Sequence, residues 1–192
     1  MYKDLYPPLE ADCYYHIYNR GINGEDLFRE ERNYSYFKML LIRHILPSAD
    51  ILAYCFLENH FHLCIQVKKE TPSQPSINVP KKFSNFFNAY TKAVNKNYGR
   101  TGSLFETPFK RKKLTLDAYI SQVIYYIHGN AQKHGFVNDF KEYPYSSYGD
   151  ILDANDSIIN CKKVMQWFGS KELFVKYHEL YRTEIIQLSA FD

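Results

Sequence analysis

The feature that most constrains the fold is an apolar, β-prone stretch that is interrupted once. It runs from Asp50 to Val67, and the turn-forming pair Glu58-Asn59 divides it into two segments. Two β-prone segments separated by so short a turn predict a β-hairpin. The second segment reads HFHLCIQV, which places two histidines at the start of its strand.

The rest of the chain alternates between predicted strands and helices. Residues 13–21 read as a strand that ends in a turn, and Asn33 is placed to cap a helix that Pro47 stops. Apolar residues at helical spacing predict three more helices, over residues 83–94, 116–132 and 171–187. Residues 109–114 are predicted to form a strand, and residues 71–80, with three prolines, a flexible loop. This order predicts an α+β sandwich with a mainly antiparallel sheet.

Length and composition bound the class of protein. The chain has 192 residues, 45% hydrophobic and 23% charged, so it is expected to form one globular domain or one domain with a helical appendage. Its apolar runs are too short to cross a bilayer, and its first residues lack the pattern of a signal peptide. The four cysteines form no CxxC pair, which disfavours a zinc ribbon, and such sparse cysteine usage fits a reduced, cytoplasmic setting. No membrane partner is expected.

Positive charge is concentrated in the middle of the chain. From Lys81 to Lys113 there are nine lysines and arginines, opposed only by Glu106, whereas the rest of the chain carries more acidic than basic residues. This asymmetry points to a polyanionic partner, although a charge run can also be a solvated surface. The 18 tyrosines and 14 phenylalanines include many core residues, and a surplus among basic residues suits stacking on unpaired bases.

The two histidines of the hairpin form a candidate metal-binding pair. On a strand, residues i and i+2 point to the same face, so His60 and His62 present two imidazoles side by side while Phe61 turns into the core. Neutral imidazole is a common metal ligand. Two ordinary polar strand residues would give the same spacing, so the spacing alone leaves both interpretations open.

Three segments together resemble a known family. CYYHIYNRGING, ENHFHLCIQV and YIHGNAQKHGFV occur in the order seen in single-tyrosine HUH transposases, named for two histidines around a bulky apolar residue. Among these IS200-like proteins, residues 13–150 most resemble the REP-associated tyrosine transposases. The resemblance implies a ferredoxin-like α+β domain over residues 1–150 and a helical C-terminal extension over residues 151–192.

The resemblance also implies a reaction and its residues. Family members cut one DNA strand by tyrosine attack, which forms a 5′-phosphotyrosine link that allows the strand to be rejoined. The matching nucleophile is Tyr126, and Tyr125 is rotated about 100° from it on a helix. His60, His62 and Asn130 match the ligands of a Mg²⁺ or Mn²⁺ ion.

Other interpretations of these residues remain open. A tyrosine pair on an amphipathic helix is often core packing, and Asn130 is near enough to a helix end to be a C-cap. The sequence also departs from the family pattern twice, because Ala131 and Glu58 stand where relatives usually have proline. Glu58 could reach the metal or point to solvent, and we favour solvent.

The expected partner is single-stranded or hairpin DNA. The residues predicted to contact it are Arg20, Lys92, Lys96, Arg100, Lys110, Arg111, Lys112 and Lys113. His128 and His134 are interpreted as packing or DNA-facing residues. Alternatives are a catalytically silent hairpin-binding protein, another HUH enzyme such as a replication initiator or relaxase, and a structural zinc protein. Whether the protein is a monomer or a homodimer is left open.

Overall fold

The structure, a computed structural model, describes residues 6–69, 78–115 and 117–180. The sheet strands are β1 (Tyr14–Arg20), β2 (Ala49–Leu57), β3 (His60–Val67) and β4 (Lys110–Leu114). The longer helices are α1 (Glu31–His44), α2 (Val79–Tyr98) and α3 (Asp117–Lys133). Three short helices follow, α4 (Ser147–Leu152), α5 (Cys161–Phe168) and α6 (Lys171–Leu180).

The four strands form one antiparallel sheet in the order β2-β3-β1-β4. With helices between β1 and β2 and between β3 and β4, this is the βαββαβ topology of the ferredoxin-like fold. The predicted α+β class and the predicted hairpin are therefore confirmed, with Glu58 and Asn59 forming the turn between β2 and β3.

The two faces of the sheet carry different residues because side chains alternate along each strand. Phe61 is buried on the face that α1 and α2 cover, where it lies near Phe37 and Phe87. His62 points to the opposite face, which packs against α3. The aromatic core thus fixes the sheet from one side and turns the histidines toward α3.

Two details of the predicted elements are corrected. Helix α1 is capped by Glu30 rather than Asn33, and the Asn33 side chain accepts the backbone N–H groups of Arg29 and Glu30 from within the first turn. The predicted loop over residues 71–80 lies outside the described residues up to position 77. Its last two residues open α2, because proline is tolerated in a first turn that leaves its N–H groups unbonded.

The C-terminal helices pack onto the same domain. Helix α5 contacts α3 and β2, and α6 contacts α5. The boundary predicted after residue 150 lies within α4, and the division into a domain and an extension stays a prediction. The predicted last helix is observed as α6, and residues 181–187 of it lie outside the described residues. Within the part of the chain that the structure describes, no helix is long and apolar enough to cross a bilayer.

Candidate functional site

The histidine pair lies on β3 with both side chains on the face toward α3. In the register of β1 and β3, His62 pairs with Tyr18 and His60 pairs with Arg20. His62 is 3% exposed, whereas His60 is half-buried at the end of the strand. One imidazole therefore lies inside the domain and the other lies near its surface.

Helix α3 brings Tyr126 and Asn130 to the histidines. The ring of Tyr126 is perpendicular to that of His62, with 5.6 Å between the centroids. Tyr125 faces the other way and packs edge-on against Tyr177 of α6. Asn130 is one turn after Tyr126 and fully buried inside a helix that continues to Lys133, so it is not the C-cap considered above.

One side chain on β3 and one on α3 each have a buried polar atom with no hydrogen-bond partner among the described residues. The two atoms are Nε2 of His62 and Oδ1 of Asn130. The Asn130 amide is oriented by its Nδ2, which donates to the backbone carbonyl of Tyr126 at 2.8 Å. Buried polar atoms are almost always paired, so atoms without a partner beside one tyrosine indicate a place for a ligand.

The hydrogen bonds and burial keep both imidazoles in a form that can bind a cation. The amide Oδ1 of Asn59 lies 2.7 Å from Nδ1 of His60, and because an amide oxygen only accepts, Nδ1 carries a hydrogen and Nε2 is the atom that a neutral His60 has available for a cation. Burial lowers the pKa of His62 well below its ordinary value, and His16 and His60 lower this pKa further. His62 is thus neutral, as a metal ligand must be.

The donor set fits a divalent cation. Within the described ranges, no group of three or more histidine, cysteine, aspartate or glutamate side chains is placed to hold a metal, and the candidate donors are two imidazoles and the amide of Asn130. Imidazoles bind many divalent metals, and the amide oxygen suits Mg²⁺ or Mn²⁺. Glu58 is exposed at the turn between β2 and β3, in agreement with a solvent-facing side chain.

A cavity of about 300 Å³ opens beside the histidines. Arg20 and Glu106 stand at its wall and form an ion pair of 2.5 Å between Nε and Oε1. Lys110 also lines the cavity, and its Nζ lies 5.6 Å from the ring centroid of Tyr18. Two of the residues predicted to contact DNA are therefore next to the histidine pair.

The basic run of β4 is divided between the two faces of the sheet. Lys110 and Lys112 pair with Tyr18 and His16 of β1, so they lie on the side of the histidines. Arg111 and Lys113 alternate with them and point to the other side. There, Arg111 Nε donates to the carbonyl of Pro7 at 2.5 Å and Lys113 forms an ion pair with Glu10. The four residues do not form a single surface.

The predicted DNA contacts Lys92 and Lys96 on α2, and Arg100 just after it, lie away from the histidine pair. Helix α2 packs with α1 on the opposite face of the sheet from α3. Lys92 and Lys96 are exposed there. Arg100 is mostly buried, forms an ion pair with Glu25 and donates to Asn95 Oδ1 at 2.6 Å. Its charge is therefore paired within the protein.

Two histidines reach the site that sequence reasoning did not place there. Nε2 of His16 on β1 lies 2.9 Å from Nδ1 of His62, and the His134 ring centroid is 4.8 Å from that of His60. The sequence spacing could have placed each of them on the same face as a neighbouring site residue. His16 lies two residues before Tyr18 on one strand face, and His134 is four residues after Asn130. His128, in contrast, is fully buried, in agreement with its interpretation as a packing residue.

Comparison with known proteins adds one finding about the fold. No family model and no curated protein matches the sequence. A solved structure of a REP-associated tyrosine transposase bound to a REP hairpin superposes with a TM-score of 0.64, at 15% sequence identity, over 80% of this chain and 87% of that chain. The resemblance noted in the sequence is thereby confirmed in three dimensions, and the chain has the fold of a REP-associated tyrosine transposase.

Proposed function

We propose that the protein is a single-strand DNA endonuclease and strand transferase, a transposase whose nucleophile is Tyr126. The observation that carries this proposal is the pair of buried polar atoms without a partner among the described residues, His62 Nε2 and Asn130 Oδ1, on two side chains that neighbour Tyr126. The fold, shared with a transposase whose structure contains a hairpin, supports the same conclusion.

In the proposed reaction, the phenolic oxygen of Tyr126 attacks the phosphorus of a DNA phosphodiester. A bond forms between this oxygen and phosphorus, and the bond from phosphorus to the 3′ oxygen breaks. The phenol loses its proton and the departing 3′ oxygen gains one, so the products are a 5′-phosphotyrosine and a free 3′-OH. Attack by a 3′-OH on the phosphotyrosine reverses these changes and joins the strands.

His60, His62 and Asn130 would hold Mg²⁺ or Mn²⁺ in this reaction. When bound, the cation polarises the scissile phosphate and stabilises the charge that develops during transfer. The help is needed because tyrosine has an ordinary pKa of about 10 and is a weak nucleophile at neutral pH. The protein's own part is to exclude water from the ring of Tyr126, which is 1% exposed, and to hold it beside His62.

We propose single-stranded or hairpin DNA as the partner, entering by the cavity beside His60. Lys110 lines this cavity and supplies positive charge for a backbone phosphate, whereas Arg20 would have to exchange Glu106 for one. The half-buried ring of Tyr18 forms part of the same wall and lies under Lys110 Nζ, so a base that stacks on this ring would displace the lysine.

The test is incubation of the protein with labelled single-stranded DNA hairpins that have unpaired flanks, in Mn²⁺ or Mg²⁺. A denaturing protein gel should show a DNA-linked band that EDTA prevents and that is absent in Tyr126→Phe. Tyr125→Phe is the matched control and should keep the band. A band that persists in Tyr126→Phe would refute the assignment of the nucleophile.

One observation favours a second function, which is hairpin-DNA binding without cleavage. Tyr126 is enclosed by His16, His62 and the Lys133 side chain, whose Nζ lies 5.2 Å from the tyrosine ring centroid. A pure binder could keep such a packed tyrosine. Tight hairpin binding with no covalent band on any hairpin of the pool would select this second function.

A further inference from the structure

His16 forms a direct contact with a proposed metal ligand. It is fully buried on β1, and its Nε2 lies 2.9 Å from Nδ1 of His62. The two rings are nearly parallel, at an interplanar angle of 19°, and Tyr18 stacks on His16 at a centroid distance of 4.8 Å. The His16 ring is thus held in one plane by its neighbours, with Nε2 directed at His62.

The direction of this hydrogen bond decides which atom of His62 can bind a cation. A neutral imidazole has one N–H and one lone pair. If Nδ1 of His62 donates to His16, the lone pair of His62 is on Nε2, the atom that has no partner among the described residues. If His16 donates instead, Nε2 of His62 carries the hydrogen and cannot be a ligand.

We propose that His16 is a positioning residue that accepts a hydrogen bond from Nδ1 of His62 and so keeps the Nε2 lone pair turned toward the cation. This inference rests on the proposed function. Because the hydrogen bond occupies Nε2 of His16, that atom is not itself a metal ligand. Partners in this position usually fix the tautomer and orientation of a ligating histidine.

The first test needs no metal, and it uses a variant only to assign the signals. Protein labelled with ¹⁵N-histidine, studied metal-free by NMR, reports which ring nitrogen of His62 carries hydrogen, and His62→Gln identifies the signals. We expect hydrogen on Nδ1. Hydrogen on Nε2 in the wild-type protein would overturn the proposal, whatever the outcome of the cleavage assay.

The second test compares two replacements of His16. In His16→Phe the ring can still stack but accepts no hydrogen bond, whereas the amide oxygen of His16→Gln can accept one at nearly the same point. We expect Mn²⁺ affinity to fall by about 10- to 100-fold in His16→Phe and by less than about threefold in His16→Gln. Thermal unfolding establishes that both variants are folded.

The outcomes separate the two proposals. Wild-type Mn²⁺ affinity in folded His16→Phe would overturn the positioning role and leave the proposed function intact. Absence of Mn²⁺ binding by the wild-type protein would overturn the metal site of the proposed function. In that case the His62 tautomer, measured without metal in wild type and His16→Phe, still decides whether His16 sets it.

Discussion

Two buried histidine clusters lie on different sides of α3, and they differ in how their polar atoms are paired. In the first, Nδ1 of His178 donates to the Phe174 carbonyl at 2.8 Å, so its Nε2 accepts from Nδ1 of His128 at 2.9 Å. Nε2 of His128 then accepts from the Ser147 hydroxyl at 2.8 Å, and that oxygen accepts from the Tyr54 amide. Both ring nitrogens of each histidine are satisfied.

The second cluster contains His62 and Asn130, and it leaves an acceptor atom of each side chain without a partner among the described residues. Both clusters are buried, and His128 and Asn130 are two residues apart on one helix. Burial of histidine therefore does not distinguish a ligand site from a packing site in this molecule. Complete pairing marks the first cluster as structural, and incomplete pairing marks the second as a place for a ligand.

The largest expected effect comes from removing an unpaired acceptor. Asn130→Leu should reduce the rate of covalent adduct formation by about 100- to 1,000-fold, because it deletes a proposed metal ligand. The metal-free variant should be at least as stable as wild type, since an unsatisfied buried oxygen is lost. Adduct kinetics and urea unfolding in EDTA measure the two effects. Cleavage at the wild-type rate by Asn130→Leu would show that the unpaired amide oxygen does not distinguish the second cluster as the cleavage site.

The pH dependence of stability should come in part from the fully hydrogen-bonded cluster of His128 and His178. Burial lowers the pKa of His178 from 6.5 to about 4 and that of His128 well below 6.5. Between these values the unfolded chain binds more protons than the folded one, so the free energy of unfolding falls as the pH falls from 6.5 to 4. For His178 alone the loss amounts to about 3 kcal/mol.

Urea unfolding at a series of pH values checks this dependence. His178→Leu should flatten the loss between pH 6.5 and 4, whereas His44→Gln should flatten it to a smaller extent, because burial also lowers the pKa of the half-buried His44 but less than that of His178. An equal pH dependence in His178→Leu and wild type would show that the cluster does not titrate as proposed.

Disrupting the cluster of His128 and His178 should lower the free energy of unfolding and leave metal binding at the proposed site unchanged. His128→Leu leaves a buried hydroxyl on Ser147 and a buried nitrogen on His178 without their partner, at a cost of about 2 kcal/mol in the free energy of unfolding. Mn²⁺ affinity of the folded variant should stay within about threefold of wild type, because the ligand atoms are untouched. Urea unfolding and calorimetric titration separate the two quantities.

The smallest expected effect is on DNA affinity, and it tests whether DNA contacts only one of the two faces between which the basic residues of β4 are divided. Lys110→Gln should weaken binding of a single-stranded hairpin about fivefold and lower the salt slope by about one, because one phosphate contact is lost. Lys113→Gln is the matched control, and it should leave binding unchanged because Lys113 is on the other face and pairs with Glu10. Equal losses in both variants would show that DNA contacts both faces of the sheet.

Local patterns were sufficient to predict most of the fold. Alternation along residues 50–67 and the turn at Glu58-Asn59 predicted the hairpin and placed both histidines on one face. The same rule, applied to Lys110–Leu114, would have divided the basic run, which was instead treated as one cluster. The helix cap was misassigned because Asn33 bonds to backbone N–H groups from the third helical position as well as a cap does.

Contacts between distant segments were beyond the reach of these patterns. The approach of His16 to His62 depends on the register of β1 against β3, and that of His128 to His178 on the docking of α6. Neither register nor docking has a local signal, because both depend on how the whole core packs. The tyrosine assignment could be predicted only in part. Helical phase shows that Tyr125 and Tyr126 point in different directions, but only packing shows which one contacts the histidines.

The most direct test of the account is to locate the DNA on the protein. After incubation with hairpin DNA and Mn²⁺, nuclease digestion leaves a nucleotide remnant, and tandem mass spectrometry of the tryptic peptide Leu114–Lys133 assigns it to a residue. We predict the remnant on Tyr126, whose ring lies against His62. A remnant on Tyr125 or outside this peptide would contradict the central claim that the incompletely paired cluster is the site of strand cleavage.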